Sequence, residues 1–169
     1  MIADVSGILK EFGGIISIDG NVNMPDQNFL GEMYRFLEPL NIKGTISNNG
    51  KSLILAASCA GKMRTDCARC MKDIEVSVNF EIDENLAAND GTISPDDDVI
   101  LFEGNKVDID EIVINNFIMK IPGKYLCKDD CKGLCQNCGA DLNEGDCGCN
   151  HDNIDPRWEG LANIMKNNS

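Results

Sequence analysis

The chain has 169 residues, 43% hydrophobic and 25% charged, with a formal net charge of −13. That composition suits one globular domain with its own apolar core and excludes a disordered or fibrous chain. The longest apolar run, LILAASCA over 53–60, is far short of a bilayer span, so no membrane segment is expected.

The first half reads as strands with one helix. IISI, Ile15–Ile18, is short and β-branched. Phe29, Leu30, Met33, Phe36 and Leu37 recur at helical spacing and predict a helix over 28–38, stopped by Pro39. IKGTISN and SLILAAS flank Asn49-Gly50, a strong hairpin signal. DIEVSVNFEI, residues 73–82, alternates strictly and predicts a half-buried antiparallel strand. Residues 83–98 are acidic, broken by Gly91 and Pro95, and read as a mobile loop before a strand at DVILF. Ile109, Ile112, Val113 and Phe117 predict a helix that Asp108 or Asp110 caps and that ends before Pro122. Asp155-Pro156 then opens a short terminal helix with Trp158, Leu161 and Met165 on one face. The expected fold class is α+β, an antiparallel β-sheet, barrel-like if it closes, with short helices and a C-terminal Cys-rich segment. The expected division is a β-rich core over 1–125, the Cys-rich segment over 126–152 and the terminal helix over 153–169.

Charge is unevenly spread. Residues 73–111 hold thirteen acids and one base, Lys106, whereas 43–72 hold Lys43, Lys51, Lys62, Arg64, Arg69 and Lys72 against Asp66 alone. A basic segment beside an acidic one permits a local phosphate-facing patch, although two solvated faces of opposite sign are the plainer reading.

Of nine cysteines, eight fall into close pairs: Cys67 with Cys70, Cys127 with Cys131, Cys135 with Cys138, and Cys147 with Cys149. The N-terminus shows no basic-then-apolar secretory pattern, so a cytoplasmic location with reduced thiols is expected, and an odd cysteine count further weakens a disulfide framework. Zinc takes four soft ligands in a tetrahedron, and a C-x-x-C turn supplies two of them. Gly139, directly after Cys138, permits the positive φ that turns backbone N–H groups toward thiolates. Cys135, Cys138, Cys147 and Cys149 form the first expected site. Cys67, Cys70, Cys127 and Cys131 form a second, which would staple the Cys-rich segment to the strands. The competing arrangement is one ion among the six clustered cysteines. His151 could replace a cysteine, but a lone histidine in a polar loop is usually unligated.

A thiol–disulfide oxidoreductase would need CARC, 67–70, at a helix N-terminus, and the residues after it alternate as a strand. An iron–sulfur electron carrier would use the same cysteines. With one histidine and no G-x-S-x-G or phosphate loop, nothing points to an enzyme. The order CARCM, alternating strand, IMKIP, LCKDDCKGLCQNCGADLNEGDCGC and DPRWEGLANIM resembles the YceD-like family of large-ribosomal-RNA accumulation proteins. The resemblance implies a bacterial, cytoplasmic, non-enzymatic factor that supports 23S rRNA levels by binding. The C-x-R-C pair carries over onto Cys67, Arg69 and Cys70. The implied partner is large-subunit rRNA, for which the charge pattern offers Lys62, Arg64, Arg69 and Lys72 beside the C-x-x-C pair as the contact, or a basic ribosomal protein received by the acidic surface.

Overall fold

A computed structural model describes residues 1–29, 31–89 and 99–149 of the chain. Among these residues, nine strands and one helix follow in order: β1 (Ile2–Asp4), β2 (Ile15–Val22), β3 (Gln27–Phe29), β4 (Glu32–Phe36), β5 (Leu40–Asn48), β6 (Leu53–Asp66), β7 (Asp73–Ala88), β8 (Ile100–Phe102), β9 (Lys106–Asp108) and α1 (Ile109–Lys120). β1 and β9 form a separate two-stranded ribbon.

The long strand β6 organises the seven-stranded sheet. One of its edges pairs with β5 and then, near Met63 and Arg64, with β4; the other pairs with β7 along its whole length. β2 closes one side beyond β5, and β8 lies beyond β7 in the one parallel pairing of the described strands. β2 and β8 do not meet, so no barrel closes among the described residues. On β6, Leu53, Leu55, Ala57, Cys59, Met63 and Thr65 are buried while intervening residues are not. That period of two sets one face of the sheet against α1, which contributes Ile109, Ile112, Val113 and Phe117 to the core.

The hairpin at Asn49-Gly50 forms, with Asn48 opposite Leu53. The Asn49 side-chain amide oxygen accepts from the N–H groups of Lys51 and Ser52. α1 also forms as expected, with Asp108 accepting from the Asp110 N–H. Two expectations are corrected. Residues 28–38 are not a helix but the β3–β4 hairpin, because Tyr34 and Phe36 both pack on Phe117, with ring centroids 6.2 and 5.0 Å away. A helix would turn two residues so spaced about 200° apart, whereas a strand presents both on one face. Residues 83–88 are not loop but the end of β7. Leu86 is buried opposite Leu53, and the inward Glu84 is satisfied by the Asn116 amide at 2.8 Å. Residues 90–98 and the expected terminal helix lie outside the described residues. None of the described helices is long and apolar enough to cross a membrane.

Candidate metal centres

The turn between β6 and β7 carries Cys67 and Cys70. The Cys67 N–H donates to the Lys72 carbonyl at 2.8 Å, and the Met71 N–H donates back to the Cys67 carbonyl at 2.9 Å. Residues 135–140 repeat this closure: the Cys135 N–H donates to the Ala140 carbonyl at 2.8 Å and the Gly139 N–H to the Cys135 carbonyl at 2.8 Å. The two C-x-x-C turns therefore share one backbone design. Gly139 sits at φ +75° and its counterpart Met71 at φ +58°. A side chain at positive φ costs roughly 1–2 kcal/mol, so the first turn adopts the knuckle despite its sequence.

Three further bonds fasten the Cys-rich segment to that turn. The Ala68 N–H donates to the Tyr125 carbonyl at 2.9 Å, the Leu134 N–H to the Arg69 carbonyl at 3.1 Å, and Arg69 Nη1 to the Cys131 carbonyl at 2.6 Å. The docking brings Cys67, Cys70, Cys127 and Cys131 together, and the second turn gathers Cys135, Cys138, Cys147 and Cys149. Within each group all four sulfurs lie within 4.8 Å of one another. Cys67 and Cys131 Sγ are 3.8 Å apart, and Cys70 and Cys127 Sγ 3.6 Å. A tetrahedron with metal–sulfur bonds of about 2.3 Å has edges of about 3.8 Å. The first group matches that edge and is far too open for disulfides, whose sulfurs lie about 2.05 Å apart. Both donor sets fit a tetrahedral thiophilic cation.

The thiols are arranged to share charge. Burial opposes ionisation of Cys67, but N–H groups of Arg69 and Cys70 outweigh it and hold the thiol down to about 6. Cys135 is likewise held down to about 6, chiefly by the Cys138 N–H. Cys127 is pushed up to about 12 by burial and by the neighbouring thiols, and Cys149 to about 12 by Cys138 and Cys147. Four thiolates so close repel one another, and a divalent cation among them removes that conflict. The two groups differ in exposure: Cys67, Cys70 and Cys131 are buried, whereas Cys138 is exposed.

Asn143 was not legible as a site residue. It lies in the loop between Cys138 and Cys147, yet its Nδ2 donates to Cys131 Sγ of the other group at 3.4 Å and its Oδ1 accepts from the Lys132 N–H at 2.9 Å. Asp141 Oδ1 holds it in place by accepting from its backbone N–H at 2.9 Å. The ninth cysteine, Cys59, belongs to neither group; it is buried in the sheet core and its thiol is pushed up to about 11 by desolvation. His151 lies outside the described residues.

The four basic residues flank the first turn, but each has other company. Lys62 Nζ faces Glu75 at 3.8 Å and Arg64 Nε faces Asp73 at 3.9 Å. Arg69 is engaged with Cys131, and Lys72 is near enough to Asp141 to lower its pKa, after the larger effect of the Asn143 bonds.

The fold and site define a class: an antiparallel sheet whose β6–β7 turn supplies half of a four-thiol centre completed by a Cys-rich segment. Residues 55–165, more than half of the chain, match the family described as large ribosomal RNA subunit accumulation protein YceD, and the chain belongs to that family. An uncharacterized protein of Mycobacterium tuberculosis is 25% identical over 129 residues, covering 75% of this chain and 62% of its own length. One of Mycobacterium leprae is 22% identical over 172 residues, covering 98% and 77%. The chain thus spans less than two thirds of the length of the M. tuberculosis relative. No solved structure matches it.

Proposed function

We propose that this chain supports accumulation of 23S rRNA, and so large-subunit assembly, as a binding factor of the bacterial cytoplasm and not as an enzyme. The observation that carries the reading is the family match over 55–165, which takes in both four-thiol groups. Each group holds one zinc ion in this reading. Zinc supplies fixed tetrahedral geometry and charge neutralisation there. The chain's own part is to aim N–H groups at the thiolates and to lock the 125–149 segment onto the sheet. A thiol-redox role is less well supported, because Cys67 opens a turn between two strands and, among the described residues, no helix N-terminus stands beside it to activate a nucleophile.

The partner proposed is the RNA. Contact through Lys62, Arg64, Arg69 and Lys72 fits less well than the sequence alone suggested, since two of them face acids and Arg69 serves the docking of the Cys-rich segment. Depletion of the chain in its host should lower 23S rRNA relative to 16S rRNA, with recovery on re-expression. Unchanged 23S levels on depletion would end the proposal.

A further inference from the structure

At the end of the sheet remote from the cysteines, a cleft of about 400 Å³ opens between residues 9–12, the β5–β6 hairpin and the strands β7 and β8. Its apolar lining includes Leu53, Leu86 and Phe102, all buried. Lys10 and Lys51 line it too, both exposed, and neither pairs with an acid among the described residues. Phe12 also lines the cleft with 81% of its surface exposed, and none of the described aromatic rings touches it. A ring left so open gains little from burial, so the core does not account for its position.

That position is nonetheless fixed. The Gly13 N–H donates to the Asn48 carbonyl and the Asn48 N–H to the Gly14 carbonyl, each at 2.9 Å. The buried Asn48 amide donates to the Ile8 carbonyl at 2.6 Å, and its oxygen accepts from the Gly50 N–H at 2.7 Å. The ring lies so close over Gly50 that a Cβ there would fall 2.9 Å from Phe12 Cδ2. Two loops are thus tied into one rim that presents an aromatic ring beside two lysines, neither of which pairs with an acid among the described residues.

We infer that this cleft binds a nucleotide of single-stranded RNA, a base stacking on Phe12 and flanking phosphates meeting Lys10 and Lys51. An aromatic face takes any base, and ammonium groups meet phosphate as point charges. The net charge of −13 opposes RNA at long range, but exposed charges are screened beyond about 8 Å at physiological salt. Contact is therefore set locally. The inference rests on the proposed role in rRNA accumulation and places its RNA contact away from the β6–β7 turn.

The test is an amide-resolved NMR titration of the zinc-loaded full chain with the ribonucleotide hexamer A6, alongside inorganic polyphosphate of equal charge. A6 should shift Phe12, Gly50, Lys51 and Ser52, and polyphosphate should bind at least about fivefold more weakly because it has no ring to stack. Phe12→Ser should weaken A6 by about tenfold, and Lys10→Gln with Lys51→Gln should flatten the salt slope by about 1.4. Phe12 is exposed, so its replacement leaves the core intact. Absence of shifts at the cleft, shifts confined to Lys62–Lys72, or equal binding of polyphosphate would overturn the inference. If the cleft fails while depletion still lowers 23S rRNA, only the cleft falls. If depletion leaves 23S rRNA unchanged, the function proposed for the chain falls whatever A6 does.

Discussion

Replacing Asn143 should weaken the metal centre to which it does not belong by sequence. Its amide sits in the 139–146 loop of the second group but donates to Cys131 Sγ of the first at 3.4 Å. A hydrogen bond to a charged acceptor contributes roughly 1.5–3 kcal/mol, and losing an outer-shell partner typically costs 10–100-fold in metal affinity. The contact is long and partly buried, so Asn143→Ala should fall near the lower end, about tenfold in zinc affinity at the first centre. Asn143→Asp keeps an acceptor for the Lys132 N–H but turns a carboxylate on the thiolate, and should cost more. Competition with a chromophoric chelator measures this, in the native chain and in a Cys67→Ser/Cys70→Ser background that retains only the second centre. The reasoning requires a loss in the first and no change in the second. Equal weakening in both backgrounds would show that Asn143 merely shapes its own loop.

Other consequences follow from the same geometry. Chelation should expose residues 127–149 to hydrogen exchange while the β5–β6–β7 amides stay protected, since a structural zinc contributes on the order of 10 kcal/mol to a small module; protection of 127–149 after chelation would contradict its role. Gly133→Ala should loosen the docked segment, because Gly133 sits at φ +76° and a Cβ would fall 2.9 Å from the Arg69 carbonyl oxygen; a lowered melting temperature and faster zinc release are expected, and unchanged values would count against the docking. Cys59 keeps its proton up to about pH 11 when folded, against an ordinary value of 9.0. The unfolded thiol ionises first, so this residue's contribution to stability is intact below pH 9 and is lost as pH rises through 9–11. Cys59→Ala should remove that part of the alkaline loss seen in denaturant titrations.

The elements that depend on one period were legible in the sequence. The alternation of residues 73–82, the Asn49-Gly50 turn and the capped run after Asp108 each state their structure locally. Local spacing marked Cys135, Cys138, Cys147 and Cys149 as one group; the second joined the paired cysteines left over, and the fold gathers both sets of four. What escaped was set at a distance. Tyr34 and Phe36 become strand residues because Phe117, far along the chain, needs both on one face. Met71 takes a glycine-like φ because the bonds of the knuckle impose it. Arg69, a surface cation by sequence and still exposed in the fold, donates to a carbonyl that only docking brings near.

That both four-thiol groups hold zinc is the central proposal about the site. Elemental analysis of reduced protein, prepared without chelator, joined to metal-edge X-ray absorption tests this most directly. Two zinc ions per chain are expected, each with four sulfurs at about 2.3 Å, and one ion should remain in the Cys67→Ser/Cys70→Ser variant. Iron in place of zinc, or a single ion that survives that change, would contradict the account.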